Sequence, residues 1–200
     1  MRTTGDTRAR ILTAATELFR RQGYAATGMK QIVAEAGAPY GSAYHFFPGG
    51  KAQLGEEVIR TSGAAYLGLI AELFPGPGPR ADPALATAEA FTAAARTLRE
   101  LDYADPCPVA TIALEVASTN ETLRGAAAEV FDSWIDGLAA YYTACGIAGP
   151  AARDIATSVI GLLEGAFMLG RTARSTQPVL TAATAAAAVV RATRAPSTEA

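Results

Sequence analysis

Apolar residues recur at three- and four-residue intervals along most of the chain. Ile11, Leu12, Ala15, Leu18 and Phe19 form the first such stripe, and Gly23 stops it as a C-terminal glycine. Thr27 suits the N-cap of a short second helix carrying Met29, Ile32, Val33 and Ala36, which ends at Gly37. Pro39 fits the first turn of a third helix running to about Phe47. Pro48-Gly49-Gly50 then breaks the chain, and a fourth helix carries Leu54, Val58, Ile59, Tyr66, Leu69 and Leu73.

The second half repeats the theme. PGPGP at 75–79 reads as a short stiff linker. Asp82 followed by Pro83 reads as N-cap and first residue of a fifth helix, to about Tyr103. Pro106 and Pro108 bracket Cys107 and turn the chain into a sixth helix over 109–117. A long seventh, 120–145, places Leu123, Val130, Phe131, Trp134, Ile135, Leu138 and Tyr141 on or near one face. After a GIAGP loop at 146–150, helices follow over 151–174 and 179–193, and the APSTEA tail is expected to fray. No stretch reads as a strand and no internal repeat is present, so nine helices predict an all-α fold.

Composition agrees with a packed chain. Of 200 residues, 50% are hydrophobic and 18% charged, which excludes a disordered protein. A chain this long buries about 70% of its unfolded surface and needs no disulfide or metal staple. Its two cysteines, Cys107 and Cys145, are too few for a disulfide framework. Arg8, Arg10 and Glu17 interrupt any secretory core near the N-terminus, and no run reaches the ~18 apolar residues of a membrane span. A soluble, cytoplasmic protein with no membrane partner is the expectation.

The net charge of −2 argues, as a single number, against nucleic acid. Its distribution reverses that. Residues 1–51 hold seven basic and three acidic side chains, a net of +4, and the remainder carries −6. The protein's two lysines, Lys30 and Lys51, both lie in the basic segment. Within it, residues 28–47 form two short helices joined by a tight turn at Gly37-Ala38, the size of a helix-turn-helix. Gly37 lets the chain turn sharply, and basic charge beside a groove-reading helix supplies phosphate attraction.

Enzymatic chemistry has no support. There is no glycine-rich phosphate loop, no paired-cysteine metal spacing and no nucleophile elbow. Glu115 and Glu121 have no special spacing, and His45 is the only histidine, so a histidine-rich metal site is excluded. No cofactor and no metal are expected.

The segment GYAATGMKQIVAEAGAPYGSAYHFFPGGKAQL resembles the DNA-binding head of TetR-family transcriptional regulators. The resemblance is carried by the Gly-Tyr pair after the first helix, Thr27, the run from Ile32 to Ala36-Gly37, Gly41-Ser42, Tyr44 and Phe47. FPGGK, CPVATIALE at 107–115 and LEGAFMLGR at 163–171 are similar to the LmrA/YxaF-like branch. The resemblance implies a nine-helix architecture: a helix-turn-helix DNA-binding domain over 1–51, and a ligand-binding and dimerisation domain over 52–200. It implies that Thr27, Lys30 and Lys51 meet phosphates, that Tyr44 contacts the DNA backbone, and that Tyr40, Gly41, Ser42 and His45 read bases or phosphates. Phe47 matches the core residue that locks the recognition helix. Two positions depart from the family pattern. Tyr40 replaces a common Lys or Arg, which favours stacking or contact with a thymine methyl. Ala43 replaces a larger aliphatic.

The same resemblance implies a homodimer on double-stranded operator DNA and a small-molecule effector. Gly161, Gly165, Ala183, Ala187 and Val190 on the last two helices are the candidate dimer face. Phe91, Tyr103, Cys107, Phe131, Trp134, Tyr141, Glu164, Phe167 and Met168 are the candidate cavity lining, with Glu164 able to fix a cation or hydroxyl. The expected function is a repressor released from its operator when a small aromatic or amphipathic molecule binds. The alternative is a helical small-molecule or protein-binding module whose DNA-binding head has decayed.

Overall fold

The computed structural model describes residues 4–76, 82–104 and 107–194. Its elements are α1 (Thr4–Gln22), α2 (Met29–Glu35), α3 (Tyr40–Phe46), α4 (Gly50–Leu73), α5 (Pro83–Glu100), α6 (Pro108–Val116), α7 (Glu121–Ala144), α8 (Gly149–Ala173) and α9 (Gln177–Arg194). No strand occurs among the described residues. The all-α reading therefore holds, with ends within a few residues of those expected. Part of the PGPGP linker, Pro106 and the APSTEA tail lie outside the described residues. No helix among the described residues is long and apolar enough to cross a membrane.

Local chemistry explains most helix ends. Gly23 and Gly37 close α1 and α2 with φ of +89° and +57°, a region that L side chains avoid. Asp82 caps α5, its carboxylate accepting from the N–H groups of Ala84 and Leu85, with Pro83 next. Cys107 caps α6 through its sulfur, which accepts from Ala110 N–H at 3.3 Å. Thr27 does not cap α2. Gly28 holds that position. The Thr27 hydroxyl is buried and donates to Gly23 O at 2.7 Å, tying the turn to the end of α1 instead.

The chain divides into two compact units, Met1–Ala65 with Cys107–Phe131, and Tyr66–Pro106 with Asp132–Ala200. In the first, α1 packs against α2, α3 and α6, and α2 against α3. Ile11, Phe19, Ile32, Ala43, Phe47, Leu54, Ile59, Ile112 and Leu123 are fully buried there. Phe47 thus takes the core role expected for it, and Ala43 is fully enclosed despite its size. Gly55 and Gly63 let α4 lie close to its neighbours: a Cβ would come within 2.8 Å of Tyr24 and 2.6 Å of Val130.

In the second unit α5 packs against α8 and α9, and these against each other. The core joins Phe91 and Leu98 to Leu138, Tyr142, Ile155, Val159, Val179, Ala186 and Val190. Tyr142 is fully buried, 2.8 Å from the Thr87 hydroxyl. Thr87 gives its one proton to Pro83 O, so Tyr142 is the donor to Thr87. Burial pushes the Tyr142 phenol far above its ordinary pKa, so it stays a neutral donor.

Candidate nucleic-acid interface and cavity

The head presents one polar-aromatic face. Pro39 is the N-cap of α3 rather than part of its first turn; the helix buries Ala43 and leaves Tyr40, Gly41, Tyr44 and His45 exposed, with Ser42 half-buried. Tyr40 is 53% and Tyr44 48% exposed, and their rings meet edge-on at 5.7 Å. Large aromatics this open are costly to leave in water, and here they sit on the helix that a helix-turn-helix uses for reading. Lys30 is exposed on α2. Arg10 locks the turn between the two helices by donating to the carbonyls of Ala36 and Gly37.

Lys51 and Thr27 are placed differently. The Lys51 ammonium donates to Tyr24 O at 2.8 Å, Thr27 O at 2.9 Å and Ala25 O at 3.4 Å, and lies 4.3 Å from the centre of the Tyr24 ring. Burial pulls its pKa below the ordinary lysine value, partly offset by the negative charge of Glu115. Both side chains thus brace the α1–α2 turn from within.

Glu115 completes that brace, and nothing in the local sequence pattern points to it. Its carboxylate accepts from Tyr24 N–H at 2.9 Å and Ala25 N–H at 2.6 Å. The turn is therefore gripped by its carbonyls from Lys51 on α4 and by its amides from Glu115 on α6.

The second unit holds a cavity of about 170 Å³. Phe91, Trp134, Glu164 and Phe167, all expected there, line it, joined by Tyr66, Leu69, Leu73 and Phe74. Tyr66 and Trp134 stand 5.4 Å apart between ring centres. The other five candidates lie elsewhere. Met168, one residue past Phe167 and so about 100° round the helix, is 59% exposed. Tyr141 packs on Phe74 and Tyr142. Tyr103 lies under the Arg174 guanidinium, 5.3 Å away. Cys107 and Phe131 belong to the first unit.

The five candidate dimer-face residues divide between the core and the surface. Ala183, Ala187 and Val190 are buried in the chain's own core, on the side of α9 that includes Val179 and Ala186. Gly161 and Gly165 do face open space, with no other element among the described residues within 4 Å of where a Cβ would stand. The exposed face of α8 continues through Met168 and Leu169, and that of α9 runs through Leu180, Thr184, Ala185, Ala188 and Val189.

An exposed reading helix on a braced three-helix head, in a chain that also encloses an apolar cavity, defines a helix-turn-helix regulator. Comparison with known proteins agrees. Residues 11–58 match the model of bacterial regulatory proteins of the tetR family, and residues 83–185 that of the LmrA/YxaF-like transcriptional regulator C-terminal domain. The chain is 36% identical over 180 residues to the uncharacterized HTH-type transcriptional regulator YxaF of Bacillus subtilis (strain 168), covering 90% of this chain and 93% of that one. It is 35% identical over 183 residues to the HTH-type transcriptional regulator LmrA of the same organism, covering 88% and 92%. A regulatory protein TetR from Rhodobacter sphaeroides has the same fold, with a TM-score of 0.80 at 19% identity over 90% of this chain and 97% of that one. The chain belongs to the TetR family of transcriptional regulators, in its LmrA/YxaF-like branch, and is not an enzyme.

Proposed function

We propose that this protein is a cytoplasmic, ligand-responsive repressor that binds operator DNA as a homodimer and releases it when a small aromatic or amphipathic molecule enters the cavity. The observation that carries the reading is the make-up of α4. Its first turn supplies Lys51, which holds the α1–α2 turn of the head, and Tyr66, Leu69 and Leu73 in its last turns line the cavity. A ligand that binds only when those last turns move therefore acts on an element the head depends on. Thermodynamically, it must bind the released state better than the DNA-bound state.

Residues 1–51 act as the DNA-binding domain and 52–200 as the ligand-binding and dimerisation domain. Lys30, Tyr40, Gly41, Ser42, Tyr44 and His45 meet the DNA, while Thr27 and Lys51 support them. Two copies pair through the exposed faces of α8 and α9, where Gly161 and Gly165 allow close approach and Leu169, Leu180 and Val189 supply apolar area. The two reading helices then reach successive major grooves about 34–36 Å apart. Footprinting on the DNA upstream of its own gene, with fluorescence anisotropy across a library of aromatic compounds, tests this. A two-fold symmetric footprint with ligand-dependent release is the expected result. Absence of salt-dependent duplex binding refutes it.

A further inference from the structure

The cavity in the second unit spends its polar groups on the protein itself. Among the described residues its polar side chains are Tyr66, Thr97, Trp134 and Glu164, and no lysine, arginine or histidine lines it. Thr97 donates to Ala93 O of its own helix at 3.3 Å. Tyr66, Trp134 and Glu164 each already have a partner within the protein. The buried side-chain polar atom left without a hydrogen-bond partner among the described residues is Arg10 Nε, which belongs to the first unit. The main chain offers no donor either. The lining residues sit on α4, α5, α7 and α8, beyond the first turn of each, where amide N–H groups are used within the helix. Phe74, just after α4, donates its N–H to Ile70 O at 2.9 Å. Pockets commonly orient a ligand with a few placed polar groups. Here those groups are committed, so an entering hydroxyl, ammonium or carboxylate gives up water and finds no free partner. What remains to bind with is the apolar area of side chains such as Phe91, Leu138 and Phe167.

We infer that the effector is an uncharged hydrocarbon ring compound, held by burial and shape with no hydrogen bond to the protein. This narrows the aromatic or amphipathic class to its apolar end, and it rests on the reading of this cavity as the effector site. The volume of about 170 Å³ suits one ring with a short alkyl arm. An apolar cavity of ~150 Å³ is known to accept benzene.

Ethylbenzene, benzyl alcohol and benzylamine test it, because they share a ring and nearly a size but end in methyl, hydroxyl or, at neutral pH, ammonium. Trp134 is the protein's sole tryptophan and lines the cavity, so its emission reports this site. In a fluorescence titration of the full-length protein, ethylbenzene should bind at least about tenfold tighter than benzyl alcohol, whose hydroxyl is buried unpaired. Benzylamine and benzoate should give no saturable change. Ethylbenzene should also release the protein from its operator in anisotropy titrations. Ala94→Phe, which puts a ring into the cavity, should abolish the ethylbenzene response. A preference for ethylbenzene over benzyl alcohol below about tenfold, or saturable binding of benzylamine or benzoate, overturns the inference and leaves the cavity reading intact. Binding of ethylbenzene without operator release, a response that persists in folded Ala94→Phe, or no response to any of the four compounds overturns both. The wild-type ranking stands even where the variant fails to fold.

Discussion

Replacing Glu115 with alanine removes the acceptor of two amide hydrogen bonds at the turn that follows α1. Tyr24 and Ala25 N–H groups lose partners at 2.9 and 2.6 Å. The carboxylate is solvent-exposed, so water replaces part of what is lost, and the net cost is about 1–2 kcal/mol rather than the sum of two buried charged bonds. For a chain of this size each kcal/mol lowers Tm by ~2–4 °C, which puts the expected fall at about 2–8 °C. Gly23 supplies an internal control. An alanine there adopts φ of +89°, costing about 1–2 kcal/mol of backbone strain. Its Cβ would also collide with Glu115 Oε1, so the carboxylate must leave the amides. Gly23→Ala therefore inflicts both costs in the wild type but only the backbone cost in the Glu115→Ala background. The double-mutant cycle should show the two changes to be less than additive by about 1 kcal/mol. Thermal unfolding followed by circular dichroism, at fixed protein concentration because a dimer's stability depends on it, measures all four proteins. Additivity within about 0.5 kcal/mol, or a fall of under about 1 °C for Glu115→Ala, refutes the brace.

The two lysines should separate by readout. Lys30→Ala should reduce the salt slope of operator binding by about one contact with Tm unchanged. Lys51→Met should do the reverse, because its ammonium is engaged by Tyr24, Ala25 and Thr27 carbonyls. Equal slopes for Lys30→Ala and wild type in anisotropy titrations would count against a phosphate contact. Tyr40→Ala should lose about 1–3 kcal/mol of discrimination at one base pair of the operator, measured by competition with singly substituted duplexes, and leave the salt slope alone. Leu169→Glu combined with Val189→Glu should shift sedimentation from dimer to monomer with helical content retained. A persistent dimer would move the interface elsewhere.

Most of the fold was legible in the sequence because helices announce themselves locally. The stripe from Ile11 to Phe19, Gly23, Gly37 and the Asp82-Pro83 start each act within one or two turns, and the structure uses them as read. Thr27 misled because the same hydroxyl that caps a following helix can also reach back to the carbonyl four residues earlier, and here it reaches Gly23. Glu115 was invisible for a different reason: its partners lie about 90 residues away, and no local pattern encodes that contact.

The remaining difficulty is one of faces. On α9 the buried set, Val179, Ala182, Ala183, Ala186, Ala187 and Val190, has helical spacing, but so does the exposed set of Leu180, Thr181, Thr184, Ala185, Ala188 and Val189. Alanine occupies both, and small residues suit contact with α5 in the same chain as well as with a second copy. Periodicity therefore reveals two usable faces without saying which neighbour each meets. The same holds on α8, where adjacent residues can share a cavity wall, as Leu163 and Glu164 do, or divide between the cavity and the outside. The structure chooses Phe167 for the cavity, which leaves Met168 and Leu169 on the outer face beside Gly161 and Gly165. One helix, α8, thus carries the cavity residue Glu164 within the same turns as the small and apolar residues of the proposed dimer face.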